Sequence, residues 1–430
     1  MRQRPQGGIG VAAVGIVRHR DTLALARVWG VVPERAATAM VRRRTAARRD
    51  AAYYLTGMTA ALLGGSTMVL VAGVWVKDLS GSSSLAALVS ACVYAPSAFG
   101  LLAGLVADRV RRKPLLAATN GAAAIAMLLL LAVRSDDQLW LIYVVMTCYG
   151  TALVLTDPAE QGLFVALLST EERRRINGAR MAIQEGGKIA APLLGVGLYA
   201  AIGGGPVAFA SAVAFAVAAV VISRLRVSEP SPSAPRGRRR GELVAGFKHI
   251  ARRSALRTAT AGATIAMFAS GTLIAARFDL VDALGYPPGF IGVVTGLLGV
   301  GSLVASLTSS SAIRRFREPN VLLFGLGNAC AGYLLTATGW LPGVLLGSFV
   351  LGFALPWTVI SQINLSQRLT PVRLQGRVAA AAGLLLFAPQ PLANLLGAWA
   401  VEAVGYRVLY LVAAVVAAVN VIWSVRRPLR

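Results

Sequence analysis

The chain repeats one pattern along its length: apolar stretches of about twenty residues, joined by short connections where arginine either collects or is nearly absent. Crossing the hydrocarbon core of a bilayer as a helix takes about 20 apolar residues at 1.5 Å rise each. Twelve stretches have that length, at 53–76, 84–106, 115–133, 138–157, 178–202, 206–225, 256–281, 289–311, 320–338, 341–364, 375–401 and 404–424. The connections alternate in charge. One set holds Arg109–Lys113, Arg173–Arg175, Arg236–Arg240 with Lys248, Arg314–Arg317, Arg368–Arg377 and the tail Arg426–Arg430. The other holds Lys77 with Asp78, Arg134 with Asp136 and Asp137, Asp279 with Asp282, and Glu402 with Arg407. Positively charged loops stay in the cytoplasm, so the first set faces inward. Both termini then lie inside, which requires an even number of spans. The expected fold is an all-α, multi-pass membrane protein of the cell membrane, with the lipid bilayer as its solvent.

Composition excludes several function classes. The chain is 56% hydrophobic and 14% charged, far from the soluble average. Its formal net charge of +25 could suggest nucleic acid. The arginines sit in clusters between apolar runs and do not form one basic face, so nucleic acid is not expected as a partner. Cys92, Cys148 and Cys330 each lie in an apolar stretch, with no metal or disulfide spacing. The two histidines, His19 and His249, lie in basic segments, so no metal or hydrolase site is expected. No GxxxxGK[ST] loop is present to bind ATP phosphates. A membrane enzyme would need a clustered charged constellation, and none is visible.

The longest interruption, "SEPSPSAPRGRRRGELVAGFKHIARRS", covers Ser228 to Ser254. It is Pro/Ser-rich, then basic, then briefly amphipathic, and it divides the spans six and six. The resulting plan is a basic extension at 1–50, a six-helix bundle at 51–227, a linker at 228–254, a second bundle at 255–425 and a basic tail at 426–430. Internal similarity fits two pseudo-equivalent halves. "GGST" (Gly64 to Thr67) in the first span matches "ASGT" (Ala269 to Thr272) in the seventh. "INGARM" before the fifth span matches "LQGRVA" before the eleventh.

The turn between the second and third spans reads "GLVADRVRRKPLL". It places Gly104, Asp108, Arg109, Arg112 and Lys113 at set intervals. Topology alone needs only the basic residues. An Asp at the membrane boundary needs positive partners, such as neighbouring arginines or a helix N-terminus. The equivalent turn of the second half, Ser310 to Asn320, keeps its arginines but has Ile313 at the acidic position.

This turn resembles the signature loop of the major facilitator superfamily, with Arg111 where that family often has Gly. The resemblance implies two six-helix bundles, small-molecule transport by alternating access, and a latch formed by Gly104, Asp108, Arg109, Arg112 and Lys113. "GKIAAPLLGVG" (Gly187 to Gly197) resembles the Gly-Pro motif of the family's drug:proton antiporters. Gly187, Ala191 and Gly195 form one small-residue face that permits close helix contact, and Pro192 removes a backbone donor. "DPAEQGLFVALLS", "INGARM", "AAPLLG" and "SQRLTPVRLQGRVAA" resemble the macrolide-efflux and siderophore-export branch. The implied activity is export of an amphipathic small molecule in exchange for protons by a monomer. The proton gradient supplies the energy and no cofactor is needed. Nutrient or metabolite uptake on the same fold is the alternative.

Ionisable residues inside spans are costly in lipid and are candidate sites by default. Asp157, Glu185 and Lys188 are the candidates for carrying protons, and a structural ion-pair cluster at the inner ends of spans four and five is the alternative. Gln362, Asn364, Gln390, Asn394 and Trp357 are candidates for lining the substrate cavity, or for holding helices together. Arg277 and Asp279 are read either as an outer gate or as side chains that snorkel to the interface.

Overall fold

The computed structural model describes residues 34–100, 109–167, 170–226 and 240–427. The chain divides into two compact units, Met1–Ala52 and Tyr53–Arg430. In the first, Arg49 pairs with the buried Asp50 at 3.3 Å. The second carries all the spans after their first few residues.

The helices are α1 (Glu34–Ser80), α2 (Ser83–Tyr94), α3 (Arg112–Leu129), α4 (Leu139–Leu167), α5 (Thr170–Ile202) and α6 (Gly204–Ser223) in the first half. The linker contains α7 (Arg240–Arg252). The second half has α8 (Ser254–Ala283), α9 (Ile291–Ala337), α10 (Leu341–Leu369), α11 (Val372–Phe387) and α12 (Gln390–Arg426). Among the described residues, eight helical segments are long and apolar enough to cross a membrane. Two are double-length, Pro288–Ala337 and Val372–Arg426, and each holds two spans. The shorter apolar segment Ser83–Phe99 is the second span. The fifth is α5, 33 residues long with a charged first half. Together these make the twelve spans that the sequence calls for.

The two double-length helices each turn at a single residue. Gly405 takes φ 70°, which costs glycine little. Arg317 takes φ 64° with ψ 158°, a region where side chains are strained. The next helix starts at once with Glu318 and Pro319, and proline is at home in a first helical turn. The turn read at Ser310 to Asn320 is therefore a bend at the single residue Arg317.

Several helices are broken in mid-course. α2 tightens into a 3₁₀ turn at Ala95–Phe99, with Pro96 near its start. Span eleven is interrupted at Ala388 and Pro389, between α11 and α12. Pro158 lies inside α4 and Pro192 inside α5. Neighbouring helices re-satisfy the backbone groups that such breaks release.

The largest buried cluster runs through both halves. It joins Met68, Val71 and Trp75 of α1 and Val196 of α5 to Phe278 and Leu280 of α8 and Ile291 of α9. At the arginine-rich end the clusters are separate. One holds Leu256, Leu322, Leu326 and Leu365 of the second half. Another packs Ile250 and Phe247 of the linker helix onto Val378, Ala381 and Leu374 of α11.

Candidate functional site

The site is the pair of surfaces where the halves meet, together with the ionisable groups that face them. At the arginine-poor end Lys77 of α1 is 6% exposed and pairs with Asp282 of α8. Its ammonium also donates to the Gly81 carbonyl at 2.7 Å and to Ser83 Oγ at 3.0 Å. Two acceptors from the turn after its own span and one from the opposite half thus hold one buried cation. Ser84 Oγ, in the first turn of α2, donates to the Ala398 carbonyl of α12 at 2.6 Å. The Phe278 ring lies over Gly73, so a side-chain carbon there would come within 3.0 Å of it.

α5 and α9 meet through a second glycine row. A carbon added at Gly292 would sit 3.0 Å from Val196 and 3.2 Å from the Pro192 carbonyl. At Gly296 it would meet Leu193 at 3.1 Å, and at Gly289 it would meet Val196 at 2.9 Å. The predicted small-residue face of α5 points elsewhere, into its own half. Gly187 accommodates Leu62, Gly195 accommodates Thr67 and Val71, and Ala191 is fully buried. Pro192 is thus flanked by two joints, one to α1 and one to α9. The α9 partner is not apparent from the motif on α5, although Gly292 and Gly296 lie four apart on one face of α9 and Gly289 sits in the 3₁₀ turn just before it.

At the arginine-rich end the polar contacts between described residues stay within one half or within the linker and second half. Of the predicted latch, Gly104 and Asp108 lie outside the described residues. Arg109 is exposed. Arg112 Nη1 donates to the Gly162 carbonyl of α4 at 3.0 Å, and Lys113 is half-buried beside it in the sequence. Below this, the Tyr54 hydroxyl donates to Glu160 at 2.8 Å, and Arg180 of α5 reaches the same carboxylate at 3.5 Å. The Arg180 guanidinium also lies 5.3 Å from the Phe164 ring centroid. In the second half Arg368 pairs with Glu318 at 3.3 Å.

The proton-site candidates do not converge on one point. Asp157 is exposed and lies on the strip of α4 between two packed faces. Gly150 and Val154 on one side meet α2 and its 3₁₀ turn, and Tyr149 and Glu160 on the other meet α1. That exposure is therefore toward the space those helices enclose. The α4 carboxylate that pairs with Arg180 is Glu160, one turn further on. Glu185 is half-buried on α5, and the Lys188 side chain lies outside the described residues.

The cavity candidates are mostly held between helices. Gln362, 1% exposed, donates to Thr260 Oγ1 of α8 at 3.2 Å and to Ser366 Oγ at 3.0 Å. Asn364 donates to the Ile360 carbonyl at 3.0 Å. Trp357 Nε1 donates to the Ala305 carbonyl of α9 at 3.0 Å and stands edge-on to Phe353. Gln390 donates to the Met267 carbonyl of α8 at 2.9 Å. Asn394 is buried beside Gly271, with neither amide atom hydrogen-bonded to a described residue.

Asp279 does not snorkel to the interface: it accepts the backbone N–H of Tyr406 at 2.9 Å, at the start of the twelfth span. Arg277, two residues before it, is half-buried.

No curated protein sequence matches the chain significantly. Solved structures share its fold. The nucleoside transporter NupG superposes with a TM-score of 0.66 at 15% identity, over 89% of this chain and 98% of that one. A bacterial homologue of the lysosomal transporter Spinster, inward-facing and unoccupied, gives 0.63 at 14% identity, over 89% and 96%. A bacterial homologue of the iron transporter ferroportin, inward-facing, gives 0.61 at 17% identity, over 87% and 98%. The profile of the Major Facilitator Superfamily matches residues 53–277 and again 259–430, once for each half. Two six-span bundles, joined among the described residues by polar contacts at the arginine-poor end and matched in turn by the same profile, identify the chain as a transporter of the major facilitator superfamily.

Proposed function

We propose that the protein is a secondary active exporter that exchanges protons for an amphipathic small molecule of drug, macrolide-like or siderophore-like character. The observation that carries alternating access is the one-ended seal. Among the described residues, the hydrogen bonds and ion pairs joining the halves lie at the arginine-poor end. By the charge bias this is the outer end, so the arrangement is inward-facing and accepts cargo from the cytoplasm. Two halves that rock about a midplane site deliver it outward.

Export in particular draws support from the "AAPLLG" stretch of α5 and its likeness to antiporter sequences. The titles of the structural neighbours name unrelated cargoes, and at such low identity they carry the fold alone. Proton exchange is assigned to Asp157, a carboxylate with no ion-pair partner within 4 Å among the described residues. An ionisable group inside a span is costly and so a functional candidate by default, and proton exchange is the function assigned here.

The test is accumulation of macrolides and lipophilic cations in an efflux-deficient bacterial host, with and without a protonophore. Wild type lowers accumulation and the protonophore restores it. Asp157→Asn at matched expression abolishes the protonophore-sensitive part. Accumulation that rises with expression, together with growth on a compound offered as sole nutrient, would establish uptake instead.

A further inference from the structure

We infer that the exposed side of α7 is a docking surface for anionic phospholipid headgroups at the inner face of the bilayer. The inference goes beyond the export proposed above and depends neither on the direction of transport nor on the coupling ion. α7 is firmly held. Gly246 lies against the backbone carbonyl of Arg377 in α11, where a side-chain carbon would collide with it. Phe247 and Ile250 pack onto Leu374, Val378 and Ala381 of α11. At its other end, Arg257 of α8 donates from Nη1 to the Ala251 carbonyl, in the last turn of α7, at 2.9 Å. A cation there also suits the negative end of the α7 dipole. The linker helix is thus fixed to two spans of the second half.

The depth of α7 follows from α8. That helix is 30 residues long, about 45 Å at 1.5 Å per residue. A bilayer with its headgroups is about 40–45 Å thick. α7 ends at Arg252 and α8 begins at Ser254, so the corner between them stands at headgroup level on the arginine-rich side. Opposite the docked face, Val244, Lys248, Ala251 and Arg252 recur at spacings of four, seven and eight and are all exposed, as are Arg253 and Arg257. None of the four cations pairs with a described carboxylate, and the sequence holds no acidic residue from Leu243 to Phe278. Topology asks only that the connection be basic. It does not ask that the charges share one side of a helix, or that the helix be packed in place to present them. Val244, 58% exposed, sets an apolar side chain on the same side. Basic residues around an apolar one are the pattern of a helix lying in the interface, and their charge complement there is an anionic headgroup.

The test uses the full chain with Cys92, Cys148 and Cys330 replaced by serine and Val244→Cys carrying a bimane fluorophore. It is placed in nanodiscs of phosphatidylcholine. The probes are phosphatidylglycerol and phosphatidylcholine with the same nitroxide-labelled acyl chain, which quenches bimane at close range. We expect phosphatidylglycerol to quench at a mole fraction about fivefold lower or more, and the preference to shrink at high salt. Lys248→Gln, Arg252→Gln and Arg253→Gln together should bring the ratio of the two lipids to about one. Arg252→Lys with Arg253→Lys should keep most of the preference. These side chains are exposed, so Tm should be the same in all variants. Equal quenching by the two lipids overturns the inference. A preference that survives the triple glutamine change also overturns it, and assigns the lipid to the inner rim at large. Loss of the preference in the lysine pair would trace it to side-chain shape and would overturn the charge-based reading. Quenching by neither lipid would set α7 clear of the bilayer, leave its basic side to a soluble polyanion, and overturn the inference as well.

Discussion

The two ends of the transporter are built differently. At the arginine-poor end one apolar cluster runs through both halves, and the polar links crossing it are few: Lys77 with Asp282, and Ser84 with Ala398. At the arginine-rich end the described polar contacts of the first half stay within it, as those of Tyr54, Glu160 and Arg180 do. A half that satisfies its own charges can separate from its partner without stranding a buried polar group. The outer seal instead depends on backbones that approach closely at glycines and on one buried cation. Such a joint has two discrete packings, closed or open, because packed cores are bistable and do not deform continuously. The polar end sets the rigidity of each half, and the apolar end sets which way the molecule faces.

The largest expected effect follows from the glycine row of α9. Gly292→Leu places a branched side chain where one carbon already meets Val196 and the Pro192 carbonyl. Overpacking of this kind costs about 1–3 kcal/mol or more, and it falls only on the closed outer joint. The outward-facing population should rise at least about fivefold. In a chain whose native cysteines are replaced, Tyr94→Cys should then react with an impermeant maleimide added from outside. An unchanged labelling rate would show that α5 and α9 do not form the seal. Next in size is the ion pair. Lys77→Gln leaves Asp282, a partly exposed carboxylate, and removes three interactions of a buried ammonium. The expected shift toward outward-facing is about 1–3 kcal/mol, or 5- to 150-fold. Asp282→Asn should shift it less than Lys77→Gln, because the Gly81 and Ser83 acceptors remain. If the two variants together cost the sum of their separate effects, the two side chains do not act as a pair.

Much of this plan is legible in the sequence, for a physical reason. Span count, orientation and the six-plus-six division follow from lipid solvation and the arginine bias, which act on each segment separately. Contacts between spans do not follow in the same way. The face of Gly187, Ala191 and Gly195 is visible as a row, but sequence alone cannot say whether it meets α1 or the other half. The row at Gly289, Gly292 and Gly296 carries an equal signal and is the one that crosses. Polar residues are harder still. Gln362 looks like a cavity residue because amides are rare in spans, yet it hydrogen-bonds across to Thr260. The Tyr333 and Tyr410 rings pack together from spans nine and twelve, with nothing in local sequence to connect them. Arg317 bends the chain where the amino-acid type argues against a positive φ.

A smaller effect belongs to Ser84→Ala. It removes one hydrogen bond to the Ala398 carbonyl and leaves a backbone acceptor in place, for about 0.5–1.5 kcal/mol. Tyr94→Cys labelling from outside should rise by less than in Lys77→Gln. A larger rise would mean that the α2–α12 contact, and not the ion pair, is the main polar closure.

The smallest expected effect on facing comes from the opposite end and is the sharpest test of the contrast. Glu160→Gln keeps the shape of the side chain and can keep the Tyr54 hydrogen bond, but it leaves Arg180 without its described carboxylate partner. Both side chains are under one-fifth exposed, so screening discounts the pair only in part. The variant should melt lower, and Arg180→Gln should lower stability by a similar amount. Neither should change outside labelling of Tyr94→Cys, because Glu160 and Arg180 lie in the same half and keep the same separation whichever way the molecule faces. A stability loss without a change in labelling separates rigidity from facing. A labelling change as large as that of Lys77→Gln would mean that the inner cluster senses the other half, and the division of labour between the two ends would fall.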